Sequence, residues 1–233
     1  MTLLQDPARY VMRTAEVALA GMLSALSIAI PLVFRGTPLQ IYIPALQYSG
    51  TVASHVPSML AIAVGPVAAV VVGLASTIGF AATLGPIVAA RAFTHVIWGL
   101  AAAIYVSRGG SYVKGLLLVA LPIHAIGEGI VVFALGPLFG AIQVAAETAG
   151  LLVFAGTVIH HLIDSVISIA VLRVVKPLLV PLLPHLAHTK LVWSVAIRKG
   201  PLTSRFVRRR KVTVSSTSRS HIVAQYRLTG SGQ

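Results

Sequence analysis

The sequence predicts an all-α membrane protein, a six-transmembrane-helix bundle with both termini in the cytoplasm. Of its 233 residues, 57% are apolar and only 10% are charged, whereas soluble domains average about 45–50% apolar and about 25% charged residues. A spanning helix needs about 20 mostly apolar residues, so this length accommodates roughly six spans with short loops. These observations exclude a soluble globular domain and leave no room for a large catalytic or nucleotide-binding domain.

Apolar runs and Gly-Pro pairs define the six helices. Gly suits the C-terminal end of a helix and Pro suits the first turn of the next one, so Gly65-Pro66 and Gly85-Pro86 are predicted boundaries. Pro122 is expected to kink the fifth helix. The predicted helices cover residues 15–34, 52–64, 67–84, 87–106, 113–135 and 149–175.

The loop over residues 35–50 is apolar and aromatic, but Pro38, Pro44, Gln40 and Gln47 argue against a span. The second helix, which follows it, is too short to cross about 30 Å of hydrocarbon. Non-helical backbone at membrane depth is tolerated only where protein or a cavity covers it. The loop is therefore predicted to be the external lid of a ligand pocket.

Basic residues predict the orientation, because Lys and Arg mark cytoplasmic loops. With the N-terminus inside, only Arg35 lies in an external loop. Residues 1–176 form the predicted membrane domain, with eight basic and five acidic residues, and residues 177–233 carry ten basic residues and no acid. We expect an interfacial cytoplasmic segment over 177–200. Residues 201–233 are expected to be a disordered basic tail that is attracted to anionic lipid and binds no nucleic acid.

Ionisable residues inside spans are costly, and each is a functional-site hypothesis. The pairs Arg91/His95 and His124/Glu128 are spaced i,i+4, so each pair shares a helix face. The predicted topology puts the polar residues of four helices at similar depth on the external side, as in a binding cavity; a structural polar network is the alternative. These residues are Ser54, His55, Ser58, Arg91, Thr94, His95, His124, Glu128, His160, His161 and Asp164.

Arg91 is the central candidate, because its planar, permanently charged guanidinium matches a carboxylate. Its anion is left open as Asp164, Glu128 or a ligand carboxylate. A metal site is the competing interpretation, since His160, His161 and Asp164 are plausible Zn, Co or Ni ligands. No H-E-x-x-H motif occurs, and a nearby arginine would repel a dication, so no metal is assigned.

Several chemistries are excluded or constrained by what the sequence contains. Without cysteine there is no disulfide or thiolate site, and without a P-loop motif the chain does not bind ATP in that way. Gly21, Ala25 and Ala29 recur at spacing four on one face of the first helix. Such faces let membrane helices approach closely, either within the protein or against a partner.

Five short motifs now point to a family. They are Ala-Ser-His-Val-Pro at 53–57, Gly65-Pro66, Thr-Ile-Gly-Phe at 77–80, Pro-Ile-Val-Ala-Ala-Arg-Ala-Phe-Thr-His at 86–95 and His-His-Leu-Ile-Asp at 160–164. With these motifs in this order, the chain resembles the substrate-binding S components of energy-coupling factor (ECF) vitamin transporters, most closely the niacin-specific branch. The resemblance covers about residues 15–176. The resemblance implies a multi-pass subunit of a prokaryotic plasma membrane, with a vitamin pocket near the external face and no catalytic activity.

The resemblance also implies partners. These are a transmembrane coupling protein and two cytoplasmic ATPases, which use ATP, while this chain needs no cofactor of its own. S components dock on the coupling protein through small residues of helix 1, and the matching residues in this chain are Gly21, Ala25 and Ala29. The family transports its substrate by toppling of the S component in the bilayer.

For nicotinate, the resemblance and the polar residues together suggest roles in a binding site. Arg91 is expected to hold the carboxylate, and His95, His161 or Asp164 the ring nitrogen. The candidate substrate-binding residues are Arg91, His95, His55, Glu128, His161, Asp164, Tyr42 and Tyr48, the tyrosines stacking on or capping the ring.

Two alternatives to this function stay open. One is a metal-ion S component, although that group carries a histidine directly after the initiator methionine and Thr2 stands there in this chain. The other is an intramembrane metalloenzyme that uses His160, His161 and Asp164.

Overall fold

The computed structural model describes residues 12–46, 48–140, 142 and 144–191, which form six helices and one β-hairpin. The predicted tail over residues 201–233 lies outside the described residues, as does the end of the predicted interfacial segment. The hairpin pairs β1 (Gln40–Ile43) with β2 (Tyr48–Thr51) in antiparallel register. The helices are α1 (Thr14–Val33), α2 (Val56–Val64), α3 (Pro66–Leu84), α4 (Pro86–Ser107), α5 (Tyr112–Leu135) and α6 (Ala146–Leu179).

Five of these helices, all except α2, are long and apolar enough to cross a membrane. Their outer surfaces carry large apolar side chains such as Ile78, Leu118 and Val166, which are 66%, 66% and 68% exposed. Contiguous apolar surface of this kind is unfavourable in water but not against lipid. The described chain is therefore a helical bundle of the membrane type.

The Gly-Pro boundaries are confirmed. Gly65 and Gly85 cap α3 and α4 with φ of +148° and +90°, backbone conformations that are readily available only to glycine. Pro66 and Pro86 are the first residues of α3 and α4, where the missing N–H of proline costs nothing. These two local signals fix the connections around α3.

The entry to α2 differs from the prediction, because the helix begins at Val56 and not at residue 52. Ala53 adopts a positive φ of 67°, which interrupts the helix. The carboxylate of Asp164 in α6 accepts hydrogen bonds from the backbone N–H groups of Ala53 (2.8 Å) and His55 (3.0 Å). A distant carboxylate thus satisfies N–H groups that a helix start leaves unpaired.

The predicted loop over residues 35–50 contains the β-hairpin, which the sequence analysis does not predict. Its register pairs Gln40 with Thr51 and Ile43 with Tyr48. The strand β2 is buried along its whole length, whereas most of β1 is exposed. The hairpin therefore lies on the bundle as a layer with an inner and an outer strand.

The two later helices accommodate their prolines differently. Residues Gly115–Ala120 of α5 form a π-helical stretch just before Pro122, where a kink is predicted. The helix α6 continues through Pro177 to Leu179, beyond the predicted end at residue 175. After it, Leu183 and Leu186 are fully buried against the core, so the packed part of the chain extends past residue 176.

The closest helix packing lies between α3 and α4. A Cβ added at Gly73 would lie 2.8 Å from the backbone nitrogen of Val96, whereas one at Gly99 would lie 3.6 Å from the Cβ of Ala69. Close approach through small residues stabilises helix pairs in lipid. This interface positions the polar residues of α4 in the bundle interior.

We predict that Gly73→Ala lowers the unfolding free energy by about 1–3 kcal/mol, since overpacking of a close contact forces backbone shifts. The matched control is Gly99→Ala on the same interface, which is expected to be neutral or slightly stabilising because alanine suits helix interiors. Unfolding in detergent micelles measures both variants. Equal destabilisation of the two would contradict this description of the interface.

Candidate functional site

Polar side chains converge in the interior at the end of the bundle covered by the hairpin. We call these residues the polar cluster: His55, Arg91, His95, His124, Glu128, His160, His161 and Asp164. All eight are buried. They come from the start of α2 and from the inner faces of α4, α5 and α6, so the spacings noted in the sequence do bring these residues together.

Arg91 and Glu128 form a buried ion pair, with Nη2 of Arg91 2.6 Å from Oε2 of Glu128. The same oxygen accepts a hydrogen bond from the Thr157 hydroxyl at 2.6 Å. Of the anions left open by the sequence, Glu128 is therefore the acid that contacts Arg91. Removing one partner of such a pair is costly, because the other charge stays buried.

Tyr48 of β2 closes the site from the hairpin side, with its ring centroid 5.3 Å from Cζ of Arg91, within range of a cation–π contact. Gly156 of α6 makes room for this ring, since a Cβ there would lie 2.8 Å from it. Burial raises the pKa of the Tyr48 phenol above its ordinary value, against the opposing charge of Arg91. The hydroxyl therefore remains protonated and available as a donor.

Tyr42, the other tyrosine predicted at the site, is not part of the polar cluster. It lies on the outer strand β1 and is 41% exposed. It lines a separate surface cavity with Arg35, Gln40 and Thr83. The structure therefore brings only one of the two tyrosines to Arg91.

Asp164 links three parts of the chain. Besides the backbone N–H groups of Ala53 and His55, its carboxylate contacts Nδ1 of His55 at 3.0 Å and Nε2 of His160 at 3.2 Å. The same nitrogen of His160 lies 2.9 Å from the carbonyl oxygen of Thr51. The hairpin, α2 and α6 are thereby joined through one buried acid.

His161 faces away from Asp164. Its Nε2 lies 3.1 Å from the carbonyl oxygen of Leu116, in the π-helical stretch, and its Nδ1 lies 2.9 Å from Nδ1 of His124. Nε2 of His124 in turn lies 3.3 Å from Oε1 of Glu128. The three residues of the alternative metal site, His160, His161 and Asp164, therefore do not direct their ligand atoms at one point.

The sequence does not point to three further residues that contact the polar cluster, Ser76, Trp98 and Thr157. The Ser76 hydroxyl lies 3.0 Å from Nδ1 of His95, and the centroid of the buried Trp98 ring lies 5.5 Å from that of the tilted His95 ring. Helical spacing could have identified two of them, since Trp98 follows His95 by three residues and Thr157 precedes His161 by four. His124 is noted there as polar but left out of the substrate site.

Comparison of the chain with protein families, with curated protein sequences and with solved structures finds no match. The site is therefore interpreted from its own geometry and from the sequence motifs.

We predict that Arg91→Met and Glu128→Leu each destabilise the protein by about 3–5 kcal/mol, because each leaves one buried charge without its partner. The double variant is expected to recover most of this loss, since it leaves neither charge behind. Unfolding of all four proteins in the same micelles gives the coupling free energy. Strictly additive losses would show that the pair is not energetically coupled.

Proposed function

We propose that the protein is the substrate-binding membrane subunit, or S component, of an ECF-type transporter and that its cargo is a small aromatic vitamin, nicotinate. In this proposal it spans a prokaryotic plasma membrane with six helices and both termini inside, and it catalyses no reaction. The hairpin end of the bundle then faces outward, where a vitamin arrives.

One observation carries the proposal: three motifs that are far apart in the sequence meet in the polar cluster. The motif at 53–57 supplies His55, the motif at 86–95 supplies Arg91 and His95, and the motif at 160–164 supplies Asp164. Helix packing alone gives no reason for several ionisable groups to be directed at a single buried place. A shared ligand site gives such a reason.

The chemistry of nicotinate suits this place. Its carboxylate is a planar anion that can form charge-assisted hydrogen bonds with the Arg91 guanidinium, in exchange for part of the contact with Glu128. Its aromatic ring can stack beneath Tyr48, which the hairpin lays over Arg91.

The hairpin is the part of the site suited to open and close. Its outer strand β1 is largely exposed, and it is anchored to the bundle through β2, Tyr48 and the contacts of Asp164. A lid of this kind admits a ligand and then excludes water from it. The lid predicted over residues 35–50 would act in this way.

The small face of α1 supports docking on a coupling protein. Gly21 and Ala25 are exposed and Ala29 is half-buried, so the described chain does not cover this face. A Cβ at Gly21 would meet nothing within 4 Å. Another helix can therefore approach α1 closely here.

Nicotinate affinity is predicted to fall at least about 30-fold in Arg91→Met, since truncating one partner of a buried charge pair costs about 2–5 kcal/mol. Nicotinamide, which lacks the anionic group, is expected to bind the wild type more weakly by a similar factor. The matched control is Arg108→Met, on the exposed end of the same helix. Calorimetric titration measures each affinity, and unchanged binding by a folded Arg91→Met protein would refute this anchor.

Ala25→Trp is predicted to abolish co-purification with the coupling protein and ATPases expressed from the same organism, because the large ring blocks close helix approach. Nicotinate binding should stay unchanged, since Ala25 lies outside the polar cluster. Val166→Trp, at an exposed apolar position of α6, provides a control for added bulk. Normal assembly of Ala25→Trp would exclude this face as the docking surface.

A further inference from the structure

Four residues of the polar cluster, three of which are also candidate substrate-binding residues, form a smaller group with the composition of a metal site. We call His55, His95, His124 and Glu128 the four-ligand group. One potential ligand atom from each lies within 4.8 Å of those of the other three. Each residue is at most 5% exposed, so these polar atoms are shielded from bulk water.

The hydrogen bonds of His124 determine where its lone pair points. The carbonyl oxygen of Leu116 only accepts, so Nε2 of His161 must donate to it. Nδ1 of a neutral His161 is then an acceptor, and Nδ1 of His124 must donate to it. Nε2 of a neutral His124 is left with a lone pair that faces Oε1 of Glu128 at 3.3 Å. Two acceptors that face each other at this distance need a proton or a metal ion between them.

The other two histidines present nitrogens in the same way. Nδ1 of His55 donates to the Asp164 carboxylate, which leaves its Nε2 unprotonated in the neutral ring. When Nδ1 of His95 donates to the Ser76 hydroxyl, Nε2 of His95 carries the lone pair. Among the described residues this Nε2 has no hydrogen-bond partner, although the residue is 1% exposed. A metal-binding histidine usually donates one ring N–H to a neighbouring protein group and directs its other, unprotonated nitrogen at the metal ion.

We propose that the four-ligand group binds one divalent first-row transition metal ion of the Zn²⁺ type, through three imidazole nitrogens and one carboxylate oxygen. Metal–ligand bonds of about 2.0–2.1 Å in a tetrahedral site would place the ligand atoms about 3.3 Å from one another. The present separations of up to 4.8 Å can be shortened to this value by modest side-chain rotations. Imidazole-rich sets favour Zn²⁺, Co²⁺, Ni²⁺ or Cu²⁺ over Mg²⁺ or Ca²⁺. The metal site shares residues with the proposed vitamin site but uses no contact with a vitamin, so it can be tested without one.

The positive charge of Arg91 does not prevent this binding. Glu128 directs Oε2 to Arg91 and Oε1 to the four-ligand group, so its carboxylate lies between the two positive charges. A second group of potential ligands, His55, His160 and Asp164, also lies within 4.8 Å. It is a poorer site, because Asp164 already accepts several hydrogen bonds and Nε2 of His160 contacts the carbonyl oxygen of Thr51.

Metal content of the full-length protein tests the proposal. The chain is purified in lipid nanodiscs through a tag without histidine, analysed by mass spectrometry, stripped with chelator and titrated with Co²⁺ alone. We expect one bound ion per chain, and at least about tenfold less in His95→Asn, whose amide can keep the bond to Ser76. His185→Asn, at a partly exposed histidine outside the cluster, should bind like the wild type.

Trp98 gives a second measurement that leaves the four-ligand group unchanged. Its ring lies 5.5 Å from that of His95 and 5.3 Å from that of His124, so Co²⁺ in the four-ligand group should quench its fluorescence. Trp193→Phe leaves Trp98 as the sole tryptophan. A protein that holds no metal, or Co²⁺ binding without quenching, would overturn the site. So would equal binding by a folded His95→Asn variant.

Discussion

The carboxylate of Glu128 is the group on which the interior of this bundle depends. One oxygen contacts the guanidinium of Arg91 and the hydroxyl of Thr157, and the other faces His124. An arginine buried among apolar helices is tolerable only if a counter-charge with further hydrogen bonds accompanies it. Glu128 supplies that counter-charge, and it thereby fixes how α4, α5 and α6 meet at the hairpin end.

Asp164 stabilises the irregular segment between the hairpin and α2. Backbone N–H groups at the start of the short helix α2 have no partner within that helix. The Asp164 carboxylate accepts hydrogen bonds from two of them and from the side chain of His55. The turn at Ala53 is thus held by tertiary contacts, which explains why α2 starts later than its apolar sequence suggests.

Much of the fold follows from local signals, because lipid makes hydropathy and Gly-Pro boundaries decisive. The pairs Gly65-Pro66 and Gly85-Pro86 fix the ends of α3 with no reference to the rest of the chain. The hairpin could not be predicted in this way, since its inner strand is stabilised by contacts such as Tyr48 against Gly156. Periodicity identifies Arg91, His95, Glu128 and Asp164 as inward-facing, but it does not say which acid meets which base.

The pairing matters because it sets the charge that a ligand meets in the polar cluster. Arg91 offsets Glu128, and His160, whose Nε2 lies 3.2 Å from the Asp164 carboxylate, can carry a proton that offsets the second acid. A carboxylate ligand brings a further negative charge into this low-dielectric interior and is repelled by Glu128 and Asp164. A divalent cation in the four-ligand group would supply positive potential close to Arg91. Electrostatics therefore favours the two proposals occurring together, with the metal ion aiding the binding of an anionic vitamin.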